Sequence, residues 1–168
     1  MQIHGKILRR TSRSKEKLLN DLSLQQILSL PTETRHKLYD SLTKIYVELE
    51  KELEAHPQPC TGCGECCHFE KAGHRLYGSS LELAFLKEKH PSPTLHEEDR
   101  CPHQIEKSCS VRHERLIGCR TFFRLHSQGE TEAVEELYEK FLGKLKKLYR
   151  ESELEWEYRD LMSLYPRG

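Results

Sequence analysis

Four cysteines, Cys60, Cys63, Cys66 and Cys67, fall within eight residues, and Cys101, Cys109 and Cys119 follow after a gap. They are all seven of the chain's cysteines, an odd number that disulfides within one chain cannot pair completely. In a reducing compartment such bunching points to metal or redox chemistry rather than to a disulfide framework. A Cys-x-x-Cys loop brings two sulfurs to one tetrahedral ion while the intervening amides donate to the thiolates. Here two such loops overlap at Cys63, offering three thiolates at a spacing of three, and Gly62 and Gly64 let the backbone turn tightly around a metal. Cys67 adjoins Cys66, so the two side chains are expected to diverge, which favours two ions or one ligand set plus a spare thiol.

Cys101, Cys109 and Cys119 must complete the set from a distance, and the 33-residue loop after Cys67 adds little closure entropy. Seven thiolates supply the eight bonds of two tetrahedral zinc or iron ions if one of them bridges. The alternative is an iron–sulfur cluster on four cysteines, with Cys101-Pro102 supplying from afar what a ferredoxin-type run carries locally. A metal-free thiol sensor is the third reading. The spacing is not the Cys-x-x-x-Cys-x-x-Cys of radical enzymes that use S-adenosylmethionine.

A thiolate-rich centre is anionic and needs compensation if partly buried. Residues 100–124 hold Arg100, Lys107, Arg112, Arg115, Arg120 and Arg124 against Glu106 and Glu114. Arg115 and Arg120 are the expected donors to sulfur, since arginine offers several donors without losing its charge. Among the histidines near the cysteines (His68, His74, His103 and His113), His68 and His103 stand closest and are expected beside the centre rather than on the ion. There is no phosphate loop, no Ser-His-Asp arrangement and no convincing carboxylate pair. No catalytic residue is therefore assigned; an enzymatic role would be that of an iron–sulfur oxidoreductase.

The elements that must position these residues read as helices. Leu18 to Leu28 suggest a short helix ending near Leu30-Pro31. Pro31 then opens a second, whose Leu38, Leu42, Ile45, Leu49 and Leu53 form one face before His56-Pro57 stops it. Ser79 and Glu82 form a capping box that starts a helix of about ten residues, with Leu81, Ala84, Phe85 and Lys89 on one side, ended by Pro91. Residues 110–118 suggest a short helix presenting Arg112 and Arg115. After Gln128-Gly129, Val134, Leu137, Tyr138, Phe141, Leu145 and Leu148 make a further stripe. The phase shifts near Arg150, and Leu154, Tyr158, Leu161 and Tyr165 predict a second C-terminal helix or a bend. No alternating strand pattern of useful length is visible.

The fold expected is mostly α, a small loop-rich metal-binding core braced by flanking helices in one globular domain. Its parts are a basic, flexible tail (1–17), a helical segment (18–59), the cysteine-cluster region (60–125) and C-terminal helices (126–168). Hydrophobic residues are 36% and charged residues 32% of the 168, which suits amphipathic helices better than a buried parallel sheet. The formal net charge is zero, so no global field draws nucleic acid or membrane. The tail alone is strongly basic, with Lys6, Arg9, Arg10, Arg13, Lys15 and Lys17 against Glu16. No apolar run spans a bilayer and no secretory signal is visible, so a cytoplasmic location is expected. No protein partner can be named from the sequence.

The cysteine region resembles the YkgJ-type family of zinc- or iron-chelating cysteine-cluster proteins. That family's pattern is Cys-x-x-Cys-x-x-Cys-Cys, a helix led by glutamate, Cys-Pro-x-Leu, then Cys-x-Ile-Tyr-x-x-Arg-Pro-x-x-Cys-Arg-x-Phe. Here the blocks are Cys60 to Cys67, Glu82, Cys101-Pro102-His103-Gln104, and Cys109 to Phe122. All seven cysteines match, as do Arg115, Arg120 and Phe122; Gln104, Arg112 and Leu116 stand where the family has leucine, tyrosine and proline. The resemblance covers residues 60–125, and implies metal chelation by the cysteines.

Overall fold

The computed structural model describes residues 23–56, 63–91, 93, 100–125 and 131–165. The basic tail and Cys60 lie outside the described residues. The fold is mostly α, as expected. Helical backbone over residues 23–29 (α1) breaks at Leu30, and α2 (Thr32–Leu53) follows directly from Pro31. Proline suits this entry, because its missing N–H is one that a helix start leaves unbonded in any case. The buried face of α2 is Leu38, Leu42, Leu49 and Leu53, completed by Tyr39 and Tyr46, while Ile45 is half-buried at its edge.

After the cysteine loop come α3 (Phe69–Ala72), β1 (Tyr77–Ser79) and α4 (Ser80–Lys89). The capping box is present: the Ser79 hydroxyl accepts from the Glu82 amide, and the Glu82 carboxylate accepts from the Ser79 amide. Every residue from Ser80 to Leu86 is buried. A one-sided helix was expected here. Instead α4 is central, enclosed by neighbours, and its Leu81-Glu82-Leu83-Ala84-Phe85-Leu86 run is apolar around nearly the whole circumference.

A two-stranded hairpin, β2 (Gln104–Ile105) and β3 (Ser108–Cys109), precedes α5 (Ile117–Leu125). The helix expected over 110–118 does not form at that place: residues 110–114 turn, and helix begins only at Ile117. Its start is set from outside, since the Ile117 amide donates to the buried carboxylate of Glu82 at 2.8 Å. One carboxylate thus caps two helices. α6 (Thr131–Glu151) packs on α5 and α2, which rests also on α4.

The predicted second C-terminal helix is likewise absent. After Glu151 the chain turns through Glu153, whose φ is 54°, and runs extended into β4 (Tyr158–Asp160). β4 pairs antiparallel with β1, Gly78 facing Arg159, and a 3-10 turn (Leu161–Leu164) follows. Aromatic residues favour such an extended path: Trp156 packs edge-on against Tyr149 at 4.9 Å and stacks with Tyr158 at 6.0 Å. The helix-like spacing of Leu154, Tyr158, Leu161 and Tyr165 arises from three different local conformations. The strands are two or three residues long, too short for alternation to show in sequence. No helix among the described residues is long and apolar enough to cross a membrane.

Candidate metal centre

Cys66 and Cys67 sit in a 3-10 turn (Glu65–Cys67) entered through Gly64, whose φ is 74°. That left-handed conformation favours glycine, and the surroundings require it as well. A Cβ at Gly64 would lie 2.3 Å from Nε2 of Gln104 and 2.5 Å from the carbonyl oxygen of Lys107. The loop is therefore pressed directly onto the β2–β3 hairpin. Buried Gln104 fastens it by donating from Nε2 to the Gly64 carbonyl at 2.9 Å. Behind it, the Cys101 amide donates to the Cys67 carbonyl at 2.7 Å, beside a bridge between His68 and Arg100.

The hairpin places Cys109 across from Gln104, and α5 carries Cys119 in its first turn. Five thiols consequently meet on one cavity of about 60 Å³: Cys66, Cys67, Cys101, Cys109 and Cys119. Cys66 and Cys67, expected to diverge, both face it, because a 3-10 turn does not send successive side chains to opposite sides as a strand does. Cys63 is exposed and does not line the cavity. Among the described residues no three His, Cys, Asp or Glu side chains stand close enough to hold one ion as they are placed.

Cys66, Cys67, Cys109 and Cys119 hold their protons firmly. The hydrogen bond with Cys67, then burial, lifts the Cys66 thiol far above the ordinary range, and the bond to Cys101 pushes Cys67 up to about 12. Burial raises Cys119 and Cys109; at Cys109 the Val111 amide, donating to sulfur, and the field of Arg115 work the other way. A thiol raised like these four is a poor nucleophile at neutral pH. No carboxylate among the described residues lines the cavity, so its described donor set suits zinc, iron or an iron–sulfur cluster rather than calcium or magnesium.

The basic residues divide between two jobs. Arg112 and Arg115 line the cavity, and the Arg115 guanidinium lowers the Cys66, Cys109 and Cys119 thiols. Arg120 is not part of the cavity wall. It is buried against α2, with Nη1 2.6 Å from Glu50, Nη2 2.6 Å from the His113 carbonyl, Nε 2.8 Å from the Arg115 carbonyl, and its guanidinium over the Tyr46 ring. It clamps the loop that carries Arg115.

Of the two favoured histidines, buried His103 lines the cavity and its Nε2 lies 2.9 Å from the Tyr165 hydroxyl. His68 lies instead beside Arg100, Nδ1 to Nη2 being 3.5 Å. His74 earned equal weight: it lines the cavity, stacks on Phe122 at 3.8 Å, and its Nε2 is 2.9 Å from the Cys66 carbonyl. Only its nearness to Cys66 in sequence hinted at this. No protein-family model, no curated protein and no solved structure matches the chain.

Proposed function

We propose that the chain is a cysteine-cluster protein that binds zinc or iron through thiolates, for structural or metal-handling purposes. One observation carries the reading: cysteines from both halves of the middle region line a single small cavity with arginine, and no carboxylate among the described residues, in its wall. Cys66, Cys67, Cys101, Cys109 and Cys119 are the proposed inner donors, and Cys60 and Cys63, close to Cys66 in sequence, complete the set. Binding would exchange thiol protons for a cation, with Arg112 and Arg115 offsetting the resulting negative charge. A reducing compartment such as the cytoplasm would keep the thiols available. The resemblance to YkgJ-type proteins agrees with this reading on the same residues.

Enclosure of the thiols by Phe69, Leu76, Leu86, Leu116 and Leu161 supports a second reading, an iron–sulfur cluster in a redox protein or an accessory subunit of one, since such clusters are tuned by burial. Protein purified without oxygen decides between them. Zinc gives colourless protein with one or two ions per chain by elemental analysis; a cluster gives brown protein with visible absorption and acid-labile sulfide. Replacing Cys109→Ser lowers the metal content in either case. Protein that takes up no metal under reducing, oxygen-free conditions, with every thiol titratable before and after chelation, refutes both.

A further inference from the structure

A second space adjoins the thiols. Between α2 and the turn at 112–115 lies an open groove of about 740 Å³, within the range of small-molecule sites. Lys51, Arg112, Arg115 and Arg120 line it, against Glu50 and Glu54. The groove thus keeps a positive excess in a chain whose formal net charge is zero. Arg112 and Arg115 line both spaces, the groove on one side and the thiol cavity on the other. The pair is tied together, Nε of Arg115 donating to the Arg112 carbonyl at 3.1 Å.

The groove already receives a carboxylate. Glu50 Oε1 sits 2.6 Å from Nη1 of Arg120 and 3.4 Å from Nη2 of Arg115. Guanidinium groups arranged around one carboxylate, in a lining of four cationic side chains to two carboxylates, suit an anion bearing several carboxylates. Resting on the metal-binding reading above, we propose that this groove binds a small polycarboxylate chelate of the cation, which passes from it to the thiols past Arg112 and Arg115. The exchange balances: each metal–oxygen bond that breaks is replaced by a metal–sulfur bond, the thiol proton leaves to water, and the freed carboxylate stays paired with guanidinium.

Citrate is the probe, titrated calorimetrically into the full chain, metal-free and reduced. Saturable one-to-one binding is expected. Lys51→Glu weakens it, and Glu54→Lys tightens it, each by about three-fold at low salt. Both positions lie outside the thiol cavity, so both variants take up metal from a simple aqueous salt like the parent, while uptake from the citrate chelate slows in the first and quickens in the second. Absent citrate binding overturns the proposal, and equal binding of sulfate overturns the polycarboxylate class. Variants that shift citrate affinity without shifting uptake from the chelate overturn the transfer. Failure of the metal reading itself looks different: citrate binds, and metal is taken from neither source.

Discussion

Replacing Gly64→Ala tests whether the thiol cavity is held by contact between the first cysteine loop and the β2–β3 hairpin. The backbone at φ 74° costs a non-glycine residue about 1 kcal/mol. The new methyl would overlap the Lys107 carbonyl oxygen at 2.5 Å and Nε2 of Gln104 at 2.3 Å. The carbonyl belongs to the backbone and cannot step aside alone, so loop and hairpin must part. Gln104, buried, then loses its bond to the Gly64 carbonyl, which costs a further ~2 kcal/mol. The expected total is ~3 kcal/mol. Gly73→Ala is the matched control, because Gly73 has φ 69° but nothing within 4 Å of the position a Cβ would take. It should cost only ~1 kcal/mol. Urea unfolding of the reduced, metal-free chain, followed by far-ultraviolet circular dichroism, reads the difference. With a slope of ~2 kcal/mol per molar, the midpoints should fall by ~1.5 M and ~0.5 M. Equal midpoints for the two variants would refute the packing argument.

Two further perturbations probe buried groups. Glu82→Ala removes an acceptor that serves the Ser79 amide and hydroxyl, the Tyr46 hydroxyl and the Ile117 amide, so it uncaps α4 and α5 together. A loss of ~4 kcal/mol is expected, against ~1 kcal/mol for Ser79→Ala; similar losses in a denaturant titration would remove Glu82 from its double role. His103 is held down to about 4, first by burial and then by His90. The folded state therefore binds fewer protons than the unfolded chain, so this contribution is complete above the ordinary histidine value and is lost as pH falls toward 4. Stability of the metal-free chain should drop by ~2 kcal/mol between pH 7 and pH 4.5 from this group, and His103→Asn should flatten that slope. An unchanged slope would mean that His103 is not buried neutral.

The long elements were legible because burial on one helical face writes itself at every third or fourth residue. Pro31, the Leu38 to Leu53 stripe, the capping box at Ser79 and Glu82, and the start of α6 near Thr131 could all be read this way. Tyr39 and Tyr46 were not placed in the core, since a tyrosine is buried only where its hydroxyl finds a partner, here Glu88 and Glu82 from the distant α4. The direction of Arg120 depends likewise on Glu50, seventy residues away in sequence. The end of the chain misled through coincidence, as apolar residues at helical spacing served an extended strap instead. At the candidate site, the cysteines stood out by their spacing, which could not show that Gln104 fastens Gly64. That bond exists only once the hairpin has docked.

The strap has a consequence for the order in which the molecule is assembled. Leu161 forms part of the cavity wall, its amide is bonded to the Leu76 carbonyl, and the Ser80 amide to the Glu157 carbonyl. On a growing chain all the cysteines emerge roughly forty residues before this wall does. The sulfurs are thus synthesised into an open half-shell, reachable by small solutes, and the shell is shut from behind by the residues made last among those that line it.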